Sequence, residues 1–274
     1  MEIEIDIKDI RTLVEVVKKN YNFDLGEYAL SSLKRRLQRI LEVYKFPTMN
    51  ELTYKVGNNK LFFEEFLREI TVNTTEMFRD PSFWRKLRDE VFPLFVNTPT
   101  IRIWHAACSS GEEVYSMAIA LKEAGLFDKA KIYASDINEL VMAKAQVGKY
   151  PIRNMEINEP NYERYSGKKE LLKYYTANGD FAQMDTSLLS NVTFRKFDLV
   201  AGEPFMKFDL ILCRNVLIYF TLPLQDRVVE MFSRSLMTGG LLAVGSKETI
   251  AWCKSYAKYS SFSLEEKIFK KVKD

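Results

Sequence analysis

The chain has 274 residues, a hydrophobic fraction of 47% and a charged fraction of 28%, which are ordinary values for a folded globular protein. Its formal net charge of +3 is too small to indicate binding to nucleic acid or to a membrane surface. Three separated cysteines and a single histidine show no spacing typical of a zinc or iron site, so we expect no metal. The first ten residues lack the pattern of a signal peptide, and no apolar run is long enough for a membrane span. We therefore expect a cytoplasmic protein without membrane insertion.

Residues up to about 70 are predicted to be helical. Apolar side chains recur at helical spacing from Tyr28 to Tyr44, and Leu61 to Ile70 is a second amphipathic stretch. Asn73-Thr74-Thr75 interrupts this pattern, and Asp80-Pro81 suits the start of another helix because proline is favoured in a first helical turn. We predict an N-terminal helical domain over residues 1–72.

After Pro99 the pattern changes to strands that alternate with helices. This alternation predicts an α/β fold with a mostly parallel, doubly wound sheet, in a second domain over residues 73–274. Residues 150–191 break the alternation and are predicted to form a small inserted subdomain. The predicted strands are Ile101–Ala107, Lys131–Ser135, Val192–Leu199, Phe208–Cys213 and Leu241–Val244, followed by an antiparallel edge hairpin within Tyr256–Val272. The predicted helices are Glu112–Ala124, one that begins at Asn138, and Leu224–Leu236.

The turn after the first predicted strand combines small residues with two acids, in the segment Ala106-Ala107-Cys108-Ser109-Ser110-Gly111-Glu112-Glu113. Ligands of open parallel sheets bind at the carboxyl ends of the strands, so we expect a nucleoside there, with Asp136 at the next strand end accepting hydrogen bonds from its ribose. The GxGxxG phosphate fingerprint is absent, and the two glutamates would repel a pyrophosphate. This favours S-adenosylmethionine over a dinucleotide. The alternative is that the acids simply suit the positive end of a helix.

Six segments occur in a fixed order within a pattern that runs over roughly residues 10 to 272: FDLGEYALSSLKRRLQRI, VNTTEMFRDPSFW, WHAACSSGEEVYSMAIAL, IYASDINELVMAKAQVGKY, FDLILCRNVLIYF and GGLLAVGSKE. Together they resemble the CheR-type chemoreceptor glutamate methyltransferases. The resemblance implies a class I, Rossmann-like S-adenosylmethionine-dependent methyltransferase domain that follows a helical domain. It also implies methylation of glutamate side chains on chemoreceptors, which yields glutamyl methyl esters and S-adenosylhomocysteine.

The resemblance also implies which residues bind the cofactor. Carried over by position, they are Asn73, Thr75, Arg79, Glu113, Asp136, Asp198, Leu199, Arg214, Asn215 and Val216. Arg79 and Tyr219 are the predicted catalytic residues. Arg79 would orient the substrate carboxylate or the cofactor's own carboxylate, and Tyr219 would donate its phenol to one substrate oxygen. Because a glutamate is already ionised near neutral pH, catalysis requires alignment and exclusion of water rather than a strong base.

A basic helix is the predicted substrate-binding surface. Arg35 and Arg39 share one helical face, and Lys34 and Arg36 flank it. A merely solvated helix side is the alternative. The resemblance favours docking of the acidic cytoplasmic helices of chemoreceptors. We expect no nucleic-acid partner and a monomeric enzyme.

The chain departs from the family pattern in three places. Asp198 stands where the family has asparagine, Gly245-Ser246-Lys247-Glu248 stands where the family reads GHSE, and the insert is short for docking a receptor's tether peptide. The short insert favours direct binding to the methylated region.

Three other functions remain open at this point. They are a non-catalytic module that binds S-adenosylmethionine or its product, a methyltransferase with a non-receptor acceptor, and a nucleic-acid methyltransferase. The last is disfavoured because Arg214-Asn215-Val216 occupies the place of an Asn/Asp-Pro-Pro-aromatic motif. His105 is predicted to be a buried or half-buried strand histidine without a functional role.

Overall fold

The structure is a computed structural model that describes residues 5–71 and 75–274. The chain divides into two compact units. The first unit comprises Met1–Asn73 and Tyr219–Gln225, and the second comprises Thr74–Ile218 and Asp226–Asp274. A short segment far along the chain therefore folds with the N-terminal helices.

The described N-terminal residues form four helices, which are α1 (Ile7–Tyr21), α2 (Leu30–Tyr44), α3 (Met49–Asn58) and α4 (Lys60–Ile70). Side chains at the N-caps of α1, α3 and α4 accept backbone hydrogen bonds, as Thr48 does from Glu51 N at 3.2 Å. The apolar face of each helix is buried, and Leu13, Leu37 and Phe66 illustrate the core between them. The predicted helical character of this region is confirmed, although α1 and α3 were not individually recognised in the sequence.

Helix α2 begins two residues later than the predicted Tyr28 because Tyr28 is extended. The backbone of Tyr28 forms an isolated antiparallel bridge with Phe220, and the rings of these two residues meet edge to face with centroids 5.4 Å apart. The N–H of Ala29 also donates to Tyr219 O at 2.9 Å. The start of α2 is thus tied to the segment that joins the helices from later in the chain.

The second unit contains a seven-stranded sheet with the strand order β6-β2-β1-β7-β8-β10-β9. The first five strands are parallel, and β10 and β9 add an antiparallel edge, which confirms the predicted doubly wound sheet with an edge hairpin. The strands are β1 (Ile101–Ala106), β2 (Ala130–Asp136), β6 (Val192–Lys196), β7 (Phe208–Cys213), β8 (Leu236–Val244), β9 (Tyr259–Ser263) and β10 (Ile268–Lys271).

The inserted region folds around a three-stranded antiparallel sheet with the order β3-β5-β4. Its strands are β3 (Lys149–Pro151), β4 (Tyr175–Asn178) and β5 (Phe181–Met184). The helices that follow α4 in the chain are α5 (Pro81–Lys86), α6 (Glu112–Glu123), α7 (Glu139–Val147), α8 (Met155–Ser166) and α9 (Leu222–Ser235). Within the described ranges, no helix has the length and apolar character that a bilayer span requires.

The strand order places a topological switch point beside β1. From β1 the chain proceeds to β2 and β6 on one side, and it later returns to form β7 and β8 on the other side. Ligands of open α/β sheets bind at the carboxyl ends of the strands at such a point. The segments that follow β1, β2 and β7 therefore frame the candidate site.

Candidate functional site

The turn after β1 has an unusual backbone. Ala107, Ser109 and Gly111 all have positive φ, at 63°, 51° and 90°. A side chain at Gly111 would place its Cβ 2.5 Å from the Cβ of Ala145 in α7, so only glycine fits there. Because of this close approach, the N-terminus of α6 lies against α7 at the carboxyl ends of the strands.

Asp136 fastens this turn to the end of β2. Its carboxylate accepts the N–H of Ser109 at 2.9 Å and the N–H of Asn138 at 3.0 Å. Burial raises the pKa of Asp136 above its ordinary value, and the hydrogen bonds from Asn138 and Ser109 oppose that rise. Asn138 caps α7 through its side-chain oxygen, while its buried Nδ2 has no hydrogen-bond partner. An acceptor and an unsatisfied donor therefore lie together, which suits a polar ligand with hydroxyl groups.

Arg214, directly after β7, is the centre of an ionic network. Its Nη1 donates to Glu113 Oε2 at 3.0 Å, and its Nη2 donates to Asp80 Oδ2 at 2.6 Å. Nη2 also lies 3.4 Å from Arg79 O, and the guanidinium lies 4.1 Å from the centre of the Phe83 ring. With its side chain only 2% exposed, Arg214 joins the helix α6 terminus to the segment that precedes α5.

Glu113 completes the network on the side of β1. One of its oxygens lies 2.9 Å from Nδ1 of His105, and the other accepts from Arg214. Burial raises the pKa of Glu113, but the hydrogen bond from His105 and the charge of Arg214 outweigh burial, so the pKa lies below its ordinary value. Glu113 is therefore an ionised acceptor. His105 is fully buried in β1, as predicted.

The segment around Arg79 is held in a strained conformation. Phe78 and Asp80, on either side of it, have positive φ at 52° and 57°. Such conformations cost about 1–3 kcal/mol each and persist only where the surroundings enforce them. Here the N–H of Phe78 donates to Ser116 Oγ at 2.8 Å, and the indole N–H of Trp84 donates to Arg79 O at 3.0 Å. The strain and its anchors fix the backbone of Arg79.

Glu248 organises the loop that follows β7. Its buried carboxylate accepts the N–H groups of Asn215 at 2.9 Å, Ile218 at 3.2 Å and Gly245. Burial raises the pKa of Glu248 although these backbone hydrogen bonds and one from Val216 oppose the rise. A Cβ at Gly245 would lie 2.7 Å from Glu248 Oε2. Gly245 and Glu248, which match the family pattern, thus shape this loop. Ser246 and Lys247, which depart from that pattern, are exposed.

The predicted cofactor residues still to be placed are Asp198, Leu199, Thr75 and Asn73. Strand β6 ends at Lys196, and Phe197 N then donates to Asp136 O at 3.0 Å, which places Asp198 and Leu199 just beyond the end of β2. The predicted strand to Leu199 was therefore three residues too long. Thr75 is half-buried, and the prediction for Asn73 lies outside the described residues.

The basic helix does not present all four of its predicted residues to solvent. Lys34, Arg35 and Arg39 are exposed, but Arg36 is only 6% exposed. Its Nη1 donates to Ile70 O, and its guanidinium lies 4.1 Å from the centre of the Tyr219 ring. The expectation that Arg36 flanks an exposed docking face is wrong, because α4 and the segment at Tyr219 cover this side of α2.

The sequence did not indicate the structural roles of Asp80 and Glu248 or the pairing of His105 with Glu113. Asp80 directly follows the predicted Arg79, and Glu248 ends a quoted motif, so both stood beside recognised signals. The pairing of His105 with Glu113 had no sequence signal beyond their positions on either side of the same turn. Among the described residues, no group of three or more His, Cys, Asp or Glu side chains is placed to hold a metal ion.

A doubly wound sheet with an acid at the end of β2 and a small-residue turn after β1 is the arrangement expected of an S-adenosylmethionine-dependent methyltransferase. Comparison with known families agrees. Residues 8–71 match the family described as "CheR methyltransferase, all-alpha domain", and residues 73–266 match "CheR methyltransferase, SAM binding domain". The chain belongs to the CheR family of chemotaxis protein methyltransferases, which methylate glutamate side chains and act on chemoreceptors.

Individual relatives cover nearly the whole chain. "Putative methyltransferase Cher3" of Pseudomonas putida is 39% identical over 263 residues, with 96% of each chain covered. "Chemotaxis protein methyltransferase" of Listeria monocytogenes is 32% identical over 245 residues, covering 89% of this chain and 90% of the relative. Magnesium protoporphyrin IX methyltransferase from Synechocystis, solved with bound S-adenosylhomocysteine, has 18% identity and a TM-score of 0.33 over 71% of this chain and 70% of its own. A score that low supports no residue-by-residue correspondence.

Proposed function

We propose that this enzyme methylates glutamates in the cytoplasmic helical region of chemoreceptors, and that it works in the cytoplasm as a monomer. We further propose that the segments after β1, β2 and β7 bind S-adenosylmethionine. The observation that carries the site assignment is the network of Arg214, Glu113 and Asp80 at the topological switch point. It fixes three polar segments around one edge of the sheet, and it lies next to Arg79.

The residues present fit the cofactor. Asp136 offers carboxylate oxygens for ribose hydroxyls, and the unsatisfied Nδ2 of Asn138 offers a donor beside them. Asp198, which replaces the family's asparagine, still offers an acceptor for the adenine amino group. When bound, S-adenosylmethionine supplies an electrophilic methyl group on its sulfonium.

The protein's part in methyl transfer is to align the acceptor and exclude water. The glutamate of a receptor is ionised near neutral pH, so no residue needs to remove a proton from it. Arg79 is held by its strained backbone and is proposed to orient a carboxylate through a charge-assisted hydrogen bond. Tyr219 is proposed to donate its phenol to one oxygen of the acceptor and to leave the other oxygen free to attack.

Receptor docking is assigned to the exposed basic face of α2, defined here as Lys34, Arg35 and Arg39. A cationic face would attract and orient an acidic receptor helix. Arg36 is assigned a different role, because its buried guanidinium contacts Tyr219 rather than solvent. It would hold the phenol ring in place.

The test is transfer of a labelled methyl group from S-adenosylmethionine to cytoplasmic receptor fragments, followed by release of the label in mild alkali. Base-labile label on the receptor is the expected result. Arg79→Met is expected to abolish transfer and Arg79→Lys to retain part of it, with the exposed Lys247→Ala as the unaffected control. Cofactor binding without transfer to any receptor fragment would instead support a docking module or a different acceptor. Light scattering of the purified enzyme tests the monomer.

A further inference from the structure

His105 is the only histidine in the chain, and it lies in an interior strand of the sheet. Its strand β1 is flanked by β2 and β7, where His105 is in register with Ala134 and Leu212. The ring is fully buried, and its Nδ1 lies 2.9 Å from Glu113 Oε1. An unpaired histidine is poorly placed in such a core, so the bond to Glu113 is the polar contact that accounts for it.

The chemistry of the pair determines which ring nitrogen carries the proton. Glu113 is ionised and an ionised carboxylate only accepts hydrogen bonds, so Nδ1 must be the donor. The Nε2 of His105 is buried without a partner. A proton there would leave a buried N–H unsatisfied, which is costly. The arrangement therefore favours a neutral ring with its proton on Nδ1.

The contact also determines how Glu113 is oriented. His105 holds Oε1, and this leaves Oε2 directed at Arg214 Nη1 at 3.0 Å. The other side of the same guanidinium reaches Asp80 at 2.6 Å, next to Arg79. If the donor at His105 is removed, the Glu113 carboxylate keeps only its hydrogen bond from Arg214. The carboxylate that faces the Arg214 guanidinium is then no longer held in one orientation.

We propose that His105 is a positioning residue of the cofactor site. As the neutral Nδ1–H tautomer, it fixes the Glu113 carboxylate that clamps Arg214, and through Arg214 it fixes the segment containing Asp80. This inference rests on the proposed cofactor-binding roles of Glu113 and Arg214, but not on the identity of the methyl acceptor. The ring signals of a histidine that only fills the core would not respond to the cofactor.

Because the chain has one histidine, nitrogen NMR of a uniformly ¹⁵N-labelled, tag-free protein gives ring signals that need no further assignment. The expected pattern is one protonated and one bare nitrogen, with proton couplings that identify Nδ1 as protonated. Addition of S-adenosylhomocysteine is expected to shift both signals. An Nε2–H tautomer, a doubly protonated ring, or signals that do not respond to saturating S-adenosylhomocysteine would overturn the proposal.

Two variants of His105 separate positioning from packing. His105→Leu fills the space without a donor, and His105→Asn retains a side-chain N–H near the position of Nδ1. The Leu variant is expected to raise the dissociation constant for S-adenosylhomocysteine and the KM for S-adenosylmethionine about tenfold or more, with kcat changed less, and Asn is expected to restore most of the affinity. Equal affinity of the Leu variant and the wild type would overturn the proposal.

The design remains decisive if the variants fold poorly, because the tautomer and its response are read from the unmodified protein. It is also independent of the proposed acceptor. Failure to methylate a receptor would leave the S-adenosylhomocysteine measurements intact, whereas normal receptor methylation with an Nε2–H ring would refute the role of His105 alone.

Discussion

The guanidinium of Arg36 lies 4.1 Å from the centre of the Tyr219 ring, although 183 positions (219 − 36) separate the two residues in the chain. Burial lowers the pKa of Arg36, while the nearby Tyr219 opposes that effect. Both residues belong to the first compact unit, since Tyr219–Gln225 folds with the N-terminal helices. The tyrosine that we propose to be catalytic is thus contacted by a residue of the basic helix.

Replacement of Arg36 by Met is expected to lower kcat about tenfold or more, because a desolvated cation over an aromatic ring contributes about 2 kcal/mol. Arg36→Lys retains the charge but loses the planar stacking, and it is expected to recover only part of the rate. The decisive measurement is a double-mutant cycle with Tyr219→Phe. If the losses from Arg36→Met and Tyr219→Phe simply add, the two residues act independently and the positioning role is wrong.

The exposed basic face of α2 gives a separate prediction. Reversal of charge in the double variant Arg35→Glu and Arg39→Glu is expected to raise the KM for receptor fragments strongly and to leave the affinity for S-adenosylhomocysteine within about twofold. The loss is expected to be smaller at high salt, where surface charges are screened. The matched control is Lys19→Glu with Lys55→Glu, which changes the net charge equally at other exposed positions of the same helical unit. Equal impairment by both double variants would show that the loss follows from the net charge of the protein and not from the basic face of α2.

The sheet and the acid at the end of β2 were predictable because their signals are local. Strands alternate with helices over short spans, and Asp136 directly ends a strand whose apolar pattern is visible in the sequence. The small-residue turn after the first strand was equally visible in the sequence. These features needed no knowledge of which segments meet.

The contacts that shape the site were not predictable in the same way. Arg214 and Asp80 are 134 positions apart, and their pairing depends on how α5 packs against the sheet. Helical periodicity placed Arg36 on the side of a basic face, but its burial depends on Ile70 and Tyr219, which no local pattern connects to it. A single sequence therefore indicated the type of site, while the side chains that hold it in place required the fold.

Glu248 gives a prediction about stability. Glu248→Ala removes an acceptor from several buried backbone N–H groups, so the free energy of unfolding is expected to fall by about 2–4 kcal/mol. Lys247→Ala, at the exposed neighbouring position, is expected to change it by less than about 0.5 kcal/mol. Urea denaturation measures both. A small effect of Glu248→Ala would mean that water replaces the carboxylate and that the loop after β7 does not depend on it.

Asp136 gives a prediction about the cofactor. Asp136→Ala is expected to weaken S-adenosylhomocysteine binding strongly, since it removes the proposed ribose acceptor and releases the turn at Ser109. Asp136→Asn retains only one of the two oxygens that accept from Ser109 N and Asn138 N, so it is expected to weaken binding as well, but less than Asp136→Ala. Calorimetry gives the affinity, and the exposed Asp128→Asn is the control. Unchanged affinity in Asp136→Ala would remove this residue from the cofactor site.

Glu112 gives a prediction about pH. Burial raises the pKa of Glu112 from 4.5 to about 7, although Ser110 Oγ donates to its carboxylate at 2.8 Å. The folded protein therefore retains this proton more strongly than the unfolded chain does. The resulting stability is fully present below about pH 4.5, and it is lost progressively as the pH rises to about 7.

Replacement of Glu112 by Gln preserves the shape and an acceptor for Ser110 but removes the titration. Relative to the wild type, the Gln variant is expected to gain stability between about pH 4.5 and 7, by up to about 3 kcal/mol above pH 7. Below about pH 4.5 the two proteins are expected to show no pH-dependent difference. Urea denaturation across this range, with the exposed Glu156→Gln as control, tests the sign. A stability difference that does not change with pH would show that the pKa of Glu112 is the same in the folded and unfolded protein, and that its buried site does not favour the proton.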